Sequence, residues 1–226
     1  GVVGHQDAAQ ICYYGLHSLQ HRGQEAAGIC CECNGKMNIY KGEGLVTEVF
    51  DQDKLKNLNG NVAIGHVRYS TGGGLANVQP FVFRTMEGSM SICHNGNLVN
   101  ANILKQELED QGSIFSSTSD TEVLGHLIKR QEGHMIDRIC ASLDKLDGAF
   151  AFLVMLEGRI YAARDKYGLR PLSIGILSNG AYVFASETCA LDVIGAKFVR
   201  DVEPGEIVRV KDGKLLSKTY TKDSLQ

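Results

Sequence analysis

The chain has 226 residues and a mass of 24.6 kDa, with 43% hydrophobic and 22% charged residues. That composition excludes a disordered chain, a collagen-like fibre and a coiled coil. A net charge of −3, a pI of about 6.2 and scattered Lys and Arg argue against a phosphate-backbone binder, so no nucleic-acid partner is expected.

The longest apolar run, Phe150 to Leu156, is far short of the ~20 residues a membrane span needs, so no membrane association is expected. No basic-then-apolar segment opens the chain, so secretion is not indicated. Seven cysteines is an odd count, read as free thiols in a reducing, cytoplasmic compartment. Cys30, Cys31 and Cys33 lack a second pair at zinc-site spacing and read as small apolar strand residues. Glycine stands out at 26 of 226, about 12% against a usual ~7%, which implies many turns and close backbone approaches.

In chain order, Ala8, Ile11, Cys12, Gly15, Leu16 and Leu19 form a helical stripe, with Asp7 and Gln10 fitting a capping box. Val62 to Tyr69 and Ser89 to His94 read as short strands. Asn100 starts a second helix carrying Ile103, Leu104 and Leu108. Ser119 or Asp120 caps a third, with Val123, Leu124, Leu127 and Ile128 on one face. Ile136, Ile139, Cys140, Leu143 and Leu146 mark a fourth.

Gly148 to Leu156 reads as a fully buried strand. Leu172, Ile174 and Ile176 pair with Ala181 to Ala185 across an Asn179-Gly180 turn. Glu206 to Val210 pairs with Lys214 to Ser217 across Asp212-Gly213. There is no repeat or linker and only three prolines, so residues 1–226 read as one domain. Consecutive hairpins with separate helices predict a largely antiparallel, layered α+β fold.

Four segments concentrate polar residues that a core does not need: Tyr13 to Glu25, Gly65 to Gly74, His94 to Asn100 and Thr118 to Leu124. Taken singly, each has an ordinary explanation. Asn95-Gly96, read as closing a strand, is a common turn pair, and Arg68 fits a surface ion pair. Gly72, Gly73 and Gly74 match no phosphate cradle, since no Gly-Lys-Ser/Thr follows. Asp120 is the first-turn acid a helix dipole favours. His21, His66 and His94 show no metal-ligand spacing.

Together the segments resemble the glutamine-hydrolysing domain of the class II, N-terminal-nucleophile amidotransferases. Within that group they look like the amidophosphoribosyltransferase family of purine synthesis. The wording YYGLHSLQHRGQE, GHVRYST, HNGNLVNA, SSTSDTEVL, LDGAFAFL, GLRPLSIG, ASETCALDVIGA and VEPGEIV carries the resemblance over nearly the whole chain.

The resemblance implies a four-layer αββα sandwich of two antiparallel sheets. It implies that Arg68 grips the glutamine α-carboxylate, a bidentate task suited to guanidinium, and that Asp120 pairs with the α-amino group. Asn95 and the Gly96 N–H match the oxyanion hole. Tyr69, Thr71 and Gly72 fall in a loop resembling the glutamine lid, and Arg22 and Gly23 fall where the nucleophile is supported.

In the family the nucleophile is an N-terminal Cys followed by Gly-Val/Ile-x-Gly. This sequence begins Gly1-Val2-Val3-Gly4, as if that Cys stood just ahead of Gly1, and a couple of residues also look absent between Gly4 and His5. Three readings stay open: residues missing from the sequence, an altered protein, or a non-catalytic glutamine-binding homologue. Another class II amidotransferase with a different acceptor is a further alternative.

Gln226 falls about where the family's glutaminase domain hands over to a phosphoribosyltransferase domain. That domain binds phosphoribosyl pyrophosphate and Mg²⁺, and some members carry an iron–sulfur cluster. No cofactor is therefore expected within this chain. A homo-oligomeric parent is expected.

Overall fold

Alternation along the strands decides the architecture. In strand Gly148–Leu156, Phe150, Phe152, Val154 and Leu156 pack into one core while Ala151, Leu153 and Met155 pack into another. In strand Ala26–Cys33, Ala27, Ile29 and Cys31 face one way and Cys30 the other. A strand apolar on both faces must be covered on both faces, so each sheet is packed between two layers.

The computed structural model describes residues 1–69 and 74–222. One sheet has seven strands in the order Lys197–Asp201, Ser173–Ile176, Tyr182–Ala185, Val2–Val3, Val62–Arg68, Ala26–Cys33 and Lys36–Glu43. The other has six, in the order Lys214–Thr219, Glu206–Lys211, Arg159–Arg164, Gly148–Leu156, Gly88–Leu98 and Phe81–Thr85. Neighbouring strands in both sheets pair antiparallel.

Three separate apolar clusters show the layering. The middle one joins the sheets through Ile64, Cys93, Leu153 and Ile160. A second lies between the seven-stranded sheet and helices Ala8–Ser18, Val46–Val49, Gln52–Asn57 and Thr188–Val193. The third lies between the six-stranded sheet and helices Ala101–Asp110, Thr121–Arg130 and Met135–Leu143. Three interfaces make four layers, the αββα sandwich.

Several expectations needed correction. Strand Gly88–Leu98 does not end at Asn95-Gly96 but runs through it, because Gly96 adopts φ +147 and still pairs with Phe150. Asp7 precedes the first helix but forms no capping box. Its φ of −102 and ψ of 34 are not those of an extended cap residue, and its N–H goes to His5 Nδ1 at 3.0 Å.

Asn100 stands at the start of its helix as expected, without a side-chain bond to the helix. Its side chain instead donates to Lys145 O and accepts from Asp147 N. Pairing is also not confined to consecutive hairpins, since Val2–Val3 sits between Tyr182–Ala185 and Val62–Arg68. The Asp212-Gly213 hairpin forms as read, with both residues at positive φ.

The seven cysteines are all free thiols. Burial pushes Cys30 up to about 11 and Cys31 up to about 12. No helix among the described residues is long and apolar enough to cross a membrane.

One buried carboxylate organises the approach to helix Thr121–Arg130. Glu122 is 3% exposed and accepts from the N–H and hydroxyl of both Ser116 and Ser117, at 2.6–2.9 Å. Burial opposes its ionisation. The His126 ring 3.7 Å away and the serine donors outweigh burial and hold its carboxyl at about 2, against 4.5 ordinarily.

A depressed carboxyl contributes stability that is fully present above pH 4.5 and is lost as pH falls towards 2. The shift corresponds to about 3 kcal/mol. Glu122→Gln should therefore lower the unfolding free energy by about 2–3 kcal/mol at pH 7 in urea denaturation. The gap to the parent should narrow when the measurement is repeated at pH 3. A gap unchanged by pH would show that the carboxylate charge is not what stabilises the loop.

Candidate active site

Both sheets deliver polar residues to one cleft of about 820 Å³. From the seven-stranded sheet, strand Val62–Arg68 brings His66 and Arg68, followed by Tyr69. From the six-stranded sheet, strand Gly88–Leu98 brings His94, Asn95 and Gly96. Asp120 comes from the start of helix Thr121–Arg130, Arg22 from the turn Gln20–Arg22, and Arg170 from the turn before strand Ser173–Ile176. All of these line the cleft.

Arg68 donates through Nη1 to Gly74 O at 3.1 Å. Tyr69 lies 76% exposed at the lip. Asp120 accepts from Leu98 N through Oδ2 at 2.8 Å, while its Oδ1 lies 3.5 Å from His94 Nδ1. Burial raises the Asp120 carboxyl, but the His94 ring and the Leu98 N–H more than offset this, so it stays below its ordinary value. The anion therefore persists in a largely enclosed place.

Asn95 is the unusual member. Its Nδ2 is buried and has no hydrogen-bond partner among the described residues. Leaving a buried amide donor unmet costs about 1–3 kcal/mol, which a bound acceptor can recover. Next to it, Gly96 has no room for a side chain: a Cβ there meets the Ala149 carbonyl oxygen.

Arg22 is half-buried and donates to Glu187 Oε1 at 2.6 Å, with His21 Nε2 2.8 Å from Oε2. The Arg22 hydrogen bond, aided by His21, holds the Glu187 carboxyl below its ordinary value although burial opposes this. Gly23 is buried and lies directly under the Arg68 backbone, where only a glycine fits. Thr71 and Gly72 lie outside the described residues.

Several residues that the sequence did not single out complete the site. Gln79 Oε1 accepts the His94 N–H at 2.6 Å. Asn77 and Thr118 exchange two hydrogen bonds, which fixes the loop ahead of Asp120. Asp165, fully buried, accepts the N–H groups of Phe150, Tyr167, Leu169 and Arg170, and so sets the turn that presents Arg170. The only sequence signal for these was their presence within or beside the polar segments and GLRPLSIG.

Gly1 lines a cavity that shares His66, His94 and Asn95 with the cleft. Its amine donates to Phe184 O at 2.7 Å and its carbonyl accepts from Phe184 N at 2.9 Å. Gly65 and Ala185 line the same cavity. Among the described residues, no group of three or more His, Cys, Asp or Glu is placed to hold a metal ion.

Gly96→Ala forces a Cβ into backbone at positive φ, where alanine is strained. It should cost at least about 2 kcal/mol in chemical denaturation. A neutral or stabilising effect would mean that the strand can flatten here.

A model of the glutamine amidotransferase domain family matches residues 66–193. The chain is 56% identical to an amidophosphoribosyltransferase of Bacillus subtilis over 98% of this chain and 47% of that protein. It is 47% identical to one of Staphylococcus aureus over 98% of this chain and 46% of the relative. A solved structure of the glutamine phosphoribosylpyrophosphate amidotransferase from B. subtilis, complexed with ADP and GMP, superposes with a TM-score of 0.94. That match has 54% identity and covers 99% of this chain and 49% of the other. The chain spans about half the length of the curated relatives it matches.

Proposed function

This chain belongs to the glutamine amidotransferase domain family, and from that membership and the geometry of the cleft we propose that it hydrolyses glutamine to glutamate and ammonia. The observation that carries the proposal is the buried, unpartnered Asn95 Nδ2, set in one cleft with the Arg68 guanidinium and the Asp120 carboxylate. A free amino acid needs one cation for its carboxylate and one anion for its amine. Arg68 and Asp120 meet those needs, and Asn95 with the Gly96 N–H is left for the amide oxygen.

Strand register supplies the place for a nucleophile. Val2 pairs with Val183 on one side and Ala63 on the other. One residue ahead of Gly1 falls opposite Ala185 and Gly65, both lining the cavity that holds Asn95. A cysteine there, with a free α-amine of pKa near ~7.7–8.0, combines nucleophile and base. Its thiol adds to the amide carbon as the amine takes the thiol proton. The C–N bond then breaks, ammonia leaves with that proton, and water hydrolyses the thioester to glutamate. Asn95 and Gly96 stabilise the oxyanion in both halves, a task worth ~10²–10³ in rate per donor.

The relatives are about twice as long, and we propose that in a protein of that length the ammonia reacts with phosphoribosyl pyrophosphate to give phosphoribosylamine. The support is the name shared by the relatives above. Mg²⁺, any iron–sulfur cluster and the contacts of a homo-oligomer belong to that longer protein, in a cytoplasmic setting.

With a Cys bearing a free amine placed ahead of Gly1, and any residues lacking after Gly4 restored, coupled glutamate detection should show glutaminase activity. The chain beginning at Gly1 should show none, because Gly1 offers an amine and no thiol. Activity in the unmodified chain would mean the nucleophile lies elsewhere.

In the repaired chain, Arg68→Ala or Asp120→Ala should raise the glutamine KM at least tenfold, each removing a charge-assisted contact of roughly 1.5–3 kcal/mol. Asn95→Ala should instead lower kcat ~10²–10³-fold with little change in KM. If Asn95→Ala weakened binding alone, Asn95 would not be an oxyanion donor.

A further inference from the structure

His94 is 3% exposed, and its ring stacks on Phe152 with centroids 4.2 Å apart and planes 14° from parallel. Its Nδ1 lies 3.2 Å from Thr121 Oγ1 and 3.5 Å from Asp120 Oδ1. A carboxylate only accepts, so a hydrogen bond to Asp120 requires the tautomer with the proton on Nδ1, and in that tautomer the Thr121 hydroxyl accepts or stands aside. The backbone of the same residue is fixed at both ends. Its N–H donates to Gln79 Oε1 at 2.6 Å and its carbonyl accepts from His66 Nε2 at 3.0 Å. The ring cannot swing away without losing its stack on Phe152.

The Asp120 carboxylate thus has a neighbour on each oxygen, the Leu98 N–H at 2.8 Å from Oδ2 and His94 Nδ1 at 3.5 Å from Oδ1. Asp120 does not use its carboxylate to cap its own helix, so nothing in the helix itself orients it. We propose that His94 is a positioning residue for amino-group recognition: its Nδ1–H aims the Asp120 carboxylate at the α-ammonium of the bound amino acid. This rests on the glutamine reading above and adds to it the residue that sets selectivity for an α-amino substrate. A side chain that only filled the core would hold any ligand of the cleft equally well. One that acts through Asp120 matters only to ligands carrying the amine.

The test is calorimetric titration of this chain with L-glutamine and with 4-carbamoylbutyrate, which is glutamine without its α-amino group. His94→Phe keeps the stack on Phe152 and removes the donor. It should weaken L-glutamine at least tenfold and leave 4-carbamoylbutyrate within twofold. His94→Asn sacrifices the stack but keeps an N–H donor near the Nδ1 position, and should bind L-glutamine within threefold of the parent.

If His94→Phe does not fold, His94→Asn is compared with His94→Gln, whose donor is displaced towards Nε2. His94→Gln should be the weaker by at least tenfold. Equal weakening of both ligands, or His94→Asn no better than the variant it is compared with, overturns the proposal. A parent chain that binds no L-glutamine overturns this inference together with the glutamine reading. Binding without glutaminase activity in the repaired chain overturns only the catalytic reading.

Discussion

The hydrogen bond from His66 Nε2 to the His94 carbonyl, 3.0 Å long, crosses from one sheet to the other at the place where the cleft is built. A carbonyl only accepts, so Nε2 carries the proton. Burial, despite that hydrogen bond, pushes the His66 pKa down to about 4, so the ring is neutral near pH 7 and donates without bringing a charge. Two residues beyond His66 is Arg68, and one beyond His94 is Asn95. Within the apolar join of the sheets, the bond ties the strand that carries the guanidinium to the strand that carries the amide donor. If the sheets slid past each other, the two groups would no longer share a cleft.

Around that join, the fold uses buried carboxylates to fix irregular backbone. Glu122 holds Ser116 and Ser117, and Asp165 holds the turn up to Arg170. On the other side of that turn, Arg164 donates to the carbonyls of Gly168, Arg170 and Val202. Burying a carboxylate is costly unless its oxygens are met by donors. Here they are met by N–H and hydroxyl groups of the loops themselves, so the loops are ordered by the same bonds that make burial tolerable. The groups facing the cleft from Asp120 and Arg170 inherit that order.

Charged groups of both signs line the cleft. Arg22 is neutralised by Glu187, while Arg68 and Asp120 line the same cleft from other elements. Under the proposed function this suits a zwitterion held by both ends, with the amide extending towards Asn95 and the inner cavity beside Gly1. Under the His94 proposal, the second oxygen of Asp120 links the amino end of that arrangement to strand Gly88–Leu98.

The sequence by itself determined the long amphipathic helices, the buried strand Gly148–Leu156 and the hairpin at Asp212-Gly213. It also marked the segments that supply Arg68, Asn95, Gly96 and Asp120. These are local properties: a helical stripe, an alternating or continuous apolar run, a turn pair, a polar residue where a core has no use for one. The short helices Val46–Val49, Gln52–Asn57 and Thr188–Val193 span fewer than two turns, too few to show a period.

Only the tertiary structure placed Val2–Val3 between strands far away in sequence. Only it carried strand Gly88–Leu98 through Asn95-Gly96 instead of ending it there, because pairing with Phe150 and Ala151 outweighs the local turn preference. The same holds for Gln79, Glu122, Asp165 and His94. Gln79 and His94 meet groups brought near by sheet stacking and loop folding, while the short-range bonds of Glu122 and Asp165 form only where their loops curl back on the carboxylate.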